Sequence, residues 1–382
     1  MDPMPKLAIM AQTALIIVAL PALLVGSEGC PFTLERALQV TTASGASQTA
    51  RGNERDVWVD AKGTVHLVWE DNRDGNFMVY YATVTGDSIG PQMRLSKSTG
   101  ESTFPCITGE SDDVYILWQE TISKTTQIMY CRLSGGKEAL RAQLTKSEVG
   151  AFCPVSTVGP DKVLHVAWFQ GSGNFSTVYY GKIVADSLVE KVNVSSKHPG
   201  GFRPDIARDP SGRILLAWYQ GLDVESRLWN GSSWEDEVTI STNNNRSWRL
   251  SVASIADGKW ALAWFDQARQ STDVRAAFFD GKTWSAPVRV NTDQTGFYPS
   301  TVCFGPGKLM VVWEDQDKTR REYMLMMRCW DRGSWGNPGE IVRGRSMSRY
   351  ASLFPWGGSV HAIWFGPLGG NNEIYYGVMR GK

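Results

Sequence analysis

Glu54, Arg203, Arg249, Tyr298 and Arg349 share one position: each lies fifteen residues ahead of a recurring tryptophan. Cys153 holds that place before Trp168, and Phe104 stands one residue nearer to Trp118. Brought together, such residues have a definite chemistry. A guanidinium takes a carboxylate or a similar oxyanion through two parallel hydrogen bonds. A tyrosine beside a carboxylate can move a proton or attack as a nucleophile. Acids gather just after the same tryptophans, as Glu70, Asp71, Glu120, Asp266, Glu314 and Asp315, and Arg55 adjoins Glu54. Trp248, Phe297 and Tyr350 flank the column and offer flat faces on which a sugar ring can stack. The bland use of the same arginines is to pair with rim acids such as Glu314 or Asp266.

Whether these side chains meet depends on the elements that carry them. The tryptophans end a recurring apolar strand: VHLVW at Trp69, VYILW at Trp118, LHVAW at Trp168, LLAW at Trp218, ALAW at Trp264, MVVW at Trp313 and HAIW at Trp364. Successive spacings are 49, 50, 50, 46, 49 and 51 residues, a repeat period of about fifty. Each unit has the same order. A first strand precedes a Gly/Asp/Pro turn, as in Val57–Gly63, and then comes the tryptophan strand. A polar loop such as Glu70–Asn76 leads to a tyrosine-rich third strand, and a hairpin to a fourth. Four short strands with turn punctuation make one meandering sheet, and seven sheets set radially make a propeller.

The seventh repeat stops after its third strand at Lys382. Glu35–Thr41 resembles the fourth strands Gln92–Ser96 and Arg141–Thr145, so the N-terminal strand is expected to complete the last sheet and remove its open edge. The expected fold is therefore all-β: a seven-bladed β-propeller of four-stranded antiparallel blades, one domain over residues 30–382. Residues 1–29 read as a signal peptide, with Lys6, an apolar run from Leu7 to Gly26, and small residues at Ser27 and Gly29. An extracytoplasmic protein follows: secreted, periplasmic or on the cell surface. Membrane attachment is expected only through an uncleaved signal or a lipid on Cys30.

Lys+Arg and Asp+Glu both number 39, which removes the electrostatic drive for nucleic-acid binding. The six cysteines include no CxxC, so no metal site and no cofactor is expected. Cys106 with Cys131, and Cys303 with Cys329, fall on first and third strands of one blade, too far apart to bridge, so buried free thiols are expected. His66, His165 and His361 each precede a repeat tryptophan by three residues. Spread round a ring, they cannot share a metal and read as scaffold. Asp71–Asn76 resembles part of a calcium loop without its distal Glu and reads as a turn.

The hairpins Asp280-Gly281-Lys282-Thr283-Trp284 and Asp331-Arg332-Gly333-Ser334-Trp335 resemble the sialidase Asp-box, S-x-D-x-G-x-T-W, without its leading Ser and one spacer. Phe202-Arg203-Pro204 resembles a shortened form of that family's F-R-I-P motif. The chain thus resembles the sialidase superfamily, which has six blades where this chain reads seven. Sialidases hold a substrate carboxylate with three arginines, attack with a tyrosine assisted by a glutamate, and protonate the leaving oxygen with an aspartate. Carried over, the resemblance implies Arg203 and Arg249 as carboxylate ligands, with Arg349 or Arg55 as the third. It implies Tyr298 as nucleophile, Asp71 as acid and Glu54 as the glutamate of the ring. The leading expectation is a monomeric module that binds a glycan or protein ligand at the channel mouth through these arginines, Trp248 and Tyr350. An exo-acting glycoside hydrolase of sialidase type is the second reading, and a surface scaffold without a small-molecule site the third.

Overall fold

The computed structural model describes residues 30–50, 55–197, 200–241, 246–267, 271–292, 295–317, 322–344, 349–368 and 371–381. The signal-peptide segment lies outside them. The described chain forms seven antiparallel sheets, six of sequential strands and the seventh completed by the first strand, arranged as a seven-bladed propeller. Blade 3 is typical: Ala151–Val158, Leu164–Gln170, Thr177–Val184 and Ser187–Asn193, paired in that order. The one helical element among the described residues is a single 3-10 turn, Gly173–Phe175.

The tryptophans hold the blades together. Each inserts between its own blade and the preceding one. Trp168 packs on Leu117, Ile128 and Tyr130 of blade 2, and Trp218 on Ala167, Val178 and Tyr180 of blade 3. Trp69 closes the circle against Ile363, Phe365 and Tyr376 of blade 7. A buried indole must place its N–H, and the residue two positions on accepts it in five blades: Asp71 (3.4 Å), Glu120 (2.9 Å), Gln220 (3.0 Å), Asp266 (2.8 Å) and Asp315 (3.4 Å). Much of the acidic rim is thereby part of the frame. The histidine column is too: Nδ1 of His66, His165 and His361 bonds the hydroxyl of Tyr81, Tyr180 and Tyr376 at 2.7, 2.6 and 2.6 Å.

Ring closure follows the sequence expectation. Phe32–Gln39 runs antiparallel to Asn371–Gly381, from Phe32 opposite Gly381 to Gln39 opposite Tyr375. The cysteines depart from it. Cys30 and Cys329 form a disulfide, although free thiols were expected throughout. The closing strand carries Cys30 across the seam to the third strand of blade 6, a neighbour that pairing within single repeats does not reveal. The bond also occupies the thiol that a lipid anchor on Cys30 would need. Cys106, Cys131, Cys153 and Cys303 form no disulfide among the described residues.

Candidate functional site

The column at the channel mouth is built by one backbone device. Near the start of its first strand, each of blades 2 to 7 has a β-bulge, between Thr103 and Cys106, Phe152 and Val155, Phe202 and Asp205, Trp248 and Ser251, Phe297 and Ser300, and Arg349 and Ser352. One residue of each bulge adopts φ near +50°: Phe104 (53°), Cys153 (49°), Arg203 (49°), Arg249 (50°), Tyr298 (51°) and Tyr350 (49°). Bulky L-residues seldom occupy this left-handed region, and a bulge is a common way to re-aim a side chain. Side chains of the preceding blade support the kink. Glu70 accepts the Phe104 N–H (2.7 Å) and Gln119 the Cys153 N–H (3.0 Å), each from the position just after a repeat tryptophan.

This column corrects the count in blade 7. Tyr350, not Arg349, takes the kinked position; Arg349 precedes it and pairs opposite Phe365. The cause is the turn. Trp356 and Ser359 pair directly around Gly357-Gly358, whereas blade 6 has an extra residue between Cys303 and Gly305. The seventh repeat is therefore one residue short at this point, as the second is. Glu54 lies outside the described residues. Trp248 pairs opposite Phe265, and its side chain is likewise outside them.

Four of the kinked residues form a polar arc over blades 4 to 7. Arg249 is buried, with its guanidinium 4.5 Å from the Tyr350 ring centre and 5.5 Å from that of Tyr298. The two tyrosine rings meet edge to face at 4.5 Å. Burial and then Tyr350 push the Tyr298 hydroxyl up to about 12. Glu314 stands beside this pair and binds Arg349 (Oε1 to Nε, 3.2 Å). Burial raises its carboxyl to about 7, although Arg349 and Arg249 pull the other way. Arg349 is thereby paired with a rim acid. Arg203 reaches over the Phe104 ring of blade 2, 5.7 Å from its centre. Tyr219 is fully buried, and its hydroxyl, in the field of Arg203 and Arg249, has no hydrogen-bond partner among the described residues. Phe152, Phe169, Phe202, Phe265, Phe297 and Phe365 complete an aromatic lining.

Arg55 and Asp71 are placed differently. The first strand of blade 1 is split into Ser47–Gln48 and Val57–Val59, and Thr49 and Ala50 between them bond to blades 7 and 5. Thr49 Oγ1 donates to the Tyr350 carbonyl (2.8 Å), and Arg249 donates to the Ala50 carbonyl (3.3 Å). Arg55 spans the channel to the carbonyls of Ile206 (3.1 Å) and Val252 (3.0 Å). Below them the fully buried Asp205 accepts the Val252 N–H (2.7 Å), and burial raises its carboxyl to about 6 against the pull of Arg55. Arg55 therefore ties blades 1, 4 and 5 together inside the channel. Asp71 holds Trp69, Ser47 Oγ (2.7 Å) and Arg73. Burial alone would raise its carboxyl, but Arg73 and Ser47 keep it below the ordinary value. A charged, saturated aspartate has no proton to give at neutral pH. Sequence reasoning set Tyr350 beside the column rather than in it, read Glu314 only as a rim acid, and missed Tyr219. The +1 position after the tryptophan carried that signal, since it holds Glu70, Gln119, Tyr219 and Glu314.

No family model and no curated protein matches this chain. Solved structures do. An ulvan lyase of a new family of polysaccharide lyase, bound to -[GlcA(1-4)Rha3S]-, is 10% identical with a TM-score of 0.67, covering 89% of this chain and 95% of that one. The polysaccharide lyase Uly1 is 8% identical with a TM-score of 0.57, over 91% and 99%. The NanB sialidase of Streptococcus pneumoniae is 10% identical with a TM-score of 0.51, over 92% and 70%. This is likeness of fold. The chain is a seven-bladed β-propeller.

Proposed function

We propose that this protein is an extracytoplasmic module that binds an acidic glycan across the channel mouth. The observation that carries the reading is the arc of Arg203, Arg249, Tyr298 and Tyr350, turned to one end by the same left-handed kink. A carboxylated or sulfated sugar would set its anionic group toward Arg203 and Arg249 and its C–H faces on the surrounding aromatic rings. The disulfide supports an oxidising compartment, since such bonds are rare in the cytosol. The solved propellers of like fold include a lyase bound to a glucuronate-containing saccharide and a sialidase, which supports an acidic saccharide over a protein ligand.

A hydrolytic reading is favoured by one observation, the carboxyl of Glu314 raised to about 7 beside Tyr298. Tyr298 would attack the anomeric carbon and pass its proton to ionised Glu314 as the glycosidic C–O bond breaks and the leaving oxygen takes a proton from water; a second water would then displace the tyrosyl oxygen, which recovers its proton from Glu314, while Arg249 and Arg203 hold the substrate carboxylate. The tyrosine is neutral before attack, so it does not repel an anionic substrate. Titrating the purified protein with glucuronate- and sialate-bearing oligosaccharides, beside a fluorogenic sialoside assay on wild type and Tyr298→Phe, separates the readings. Binding without turnover supports the module, and turnover lost in Tyr298→Phe supports the hydrolase. A folded protein that does neither leaves the scaffold reading.

A further inference from the structure

The end of the propeller away from the mouth has a cavity of about 500 Å³ at the seam between blades 7 and 1. Arg36, Trp356, His361, Tyr376 and Arg380 line it. The first strand of blade 7 runs from Arg349 to Trp356, which at about 3.3 Å per residue separates this cavity from the mouth by roughly 20 Å.

The seam differs from the same place in other blades. The second-strand histidines of blades 1 and 3 face an aspartate from the preceding turn, His66 Nε2 at 3.5 Å from Asp60 and His165 Nε2 at 3.9 Å from Asp161. Blade 7 has Trp356-Gly357-Gly358-Ser359 there, with no acid. Two arginines act on His361 instead. Burial first, then Arg36 and Arg380, hold its imidazole down to about 4, so it is neutral and the cavity's charge is the guanidiniums'. Arg36 lowers the Tyr376 hydroxyl against the effect of burial, and that hydroxyl bonds His361 Nδ1 at 2.6 Å. The acids that pair with these arginines, Asp87 with Arg36 and Glu35 with Arg380, are exposed, with side chains 70% and 44% accessible, so their countercharge is screened by water. Trp356 stands as a wall, its ring edge-on to His361 at 6.1 Å. Its tip lies where a Cβ on Gly63 would come within 2.8 Å, so only glycine lets the ring settle there.

We propose that this seam is a second saccharide site, taking one carboxylated or sulfated sugar unit with its anion toward Arg36 and Arg380 and its ring on Trp356. It shares no residue with the mouth.

Calorimetric titration of the mature protein with a sulfated, glucuronate-containing disaccharide tests it, using wild type, Trp356→Ala, Arg380→Gln and Arg203→Ala. Trp356 and Arg380 are exposed, so those variants are expected to unfold at the wild-type midpoint. Each should weaken one class of site about tenfold or more and leave the other unchanged, while Arg203→Ala does the reverse. Seam binding without mouth binding upholds this proposal and sinks the mouth reading. Wild-type binding in both seam variants overturns the proposal, as does a protein that binds at neither end. Inorganic sulfate held as tightly as the disaccharide also overturns it, since the sugar ring then adds nothing.

Discussion

Blades 2 and 3 and blades 4 to 7 present the same kinked backbone to the channel mouth with opposite chemistry. Phe104 and Cys153 hold φ values of 53° and 49°, as Arg203, Arg249, Tyr298 and Tyr350 hold 49° to 51°. One arc offers an aromatic ring and a buried thiol, the other cations and hydroxyls. The kink therefore belongs to the blade, and function rests on which side chain it aims. Strain at such positions is a reason to ask about function, and here the side chains give different answers on the two sides of one ring.

If the frame is common and only the aimed residues differ, core variants should cost the same in either arc. Trp118→Ala and Trp218→Ala should each lose about 3–5 kcal/mol of unfolding free energy in urea titrations, through the cavity and the orphaned indole acceptor. A large inequality between them would break the comparison. The mouth should respond chiefly in one arc. Arg203→Ala combined with Arg249→Ala is expected to weaken acidic-glycan binding about a hundredfold or more in calorimetry, since each charge-assisted contact contributes about 1.5–3 kcal/mol. The asymmetry should also appear against pH. Glu314 and Asp205 have carboxyls raised to about 7 and about 6, so the folded state binds protons that the unfolded chain releases. Their contribution is fully present below the unfolded values near 4 and is lost as pH rises through 6 to 7. Glu314→Gln should flatten the fall in unfolding midpoint between pH 5 and 8. Phe104→Ala, which removes the ring under Arg203, should weaken binding only a few-fold, in line with about 0.5–1 kcal/mol for a cation over an aromatic face. Cys153→Ala should change neither binding nor, by more than about 1 kcal/mol, stability.

The frame was legible because the tryptophans repeat it. Their period gave blade number, strand order and the closing role of Phe32–Gln39, since each tryptophan must bury one face against the preceding blade. The mouth was legible only as far as counting along the chain is reliable. Arg203, Arg249 and Tyr298 sit where fifteen residues back predicts, whereas the tight Gly357-Gly358 turn moves Tyr350 into the place assigned to Arg349. Asp71 looked like a free acid because a sequence does not show that Trp69 and Ser47 need an acceptor. Glu314 was read as a rim acid, and its place beside Tyr298 follows from pairing across strands: it lies opposite Phe297. The Cys30–Cys329 bond was hidden for a related reason, because the contact joins a strand to a blade it does not belong to.

The closing strand has a consequence for how the molecule is made. Phe32–Gln39 pairs with Asn371–Gly381, so Phe32–Gln39 has no partner until synthesis has passed Gly381. Until then blade 7 has an unsatisfied edge and the early segment is an unattached strand, an invitation to pair with a neighbouring chain in the same state. Sheet topology of this kind also makes folding slow, since the decisive contact is the most distant in sequence. Oxidation of the Cys30 and Cys329 thiols, with an external oxidant of the exporting compartment taking their two electrons, joins the closing segment to blade 6, so the bond works as a latch across the seam.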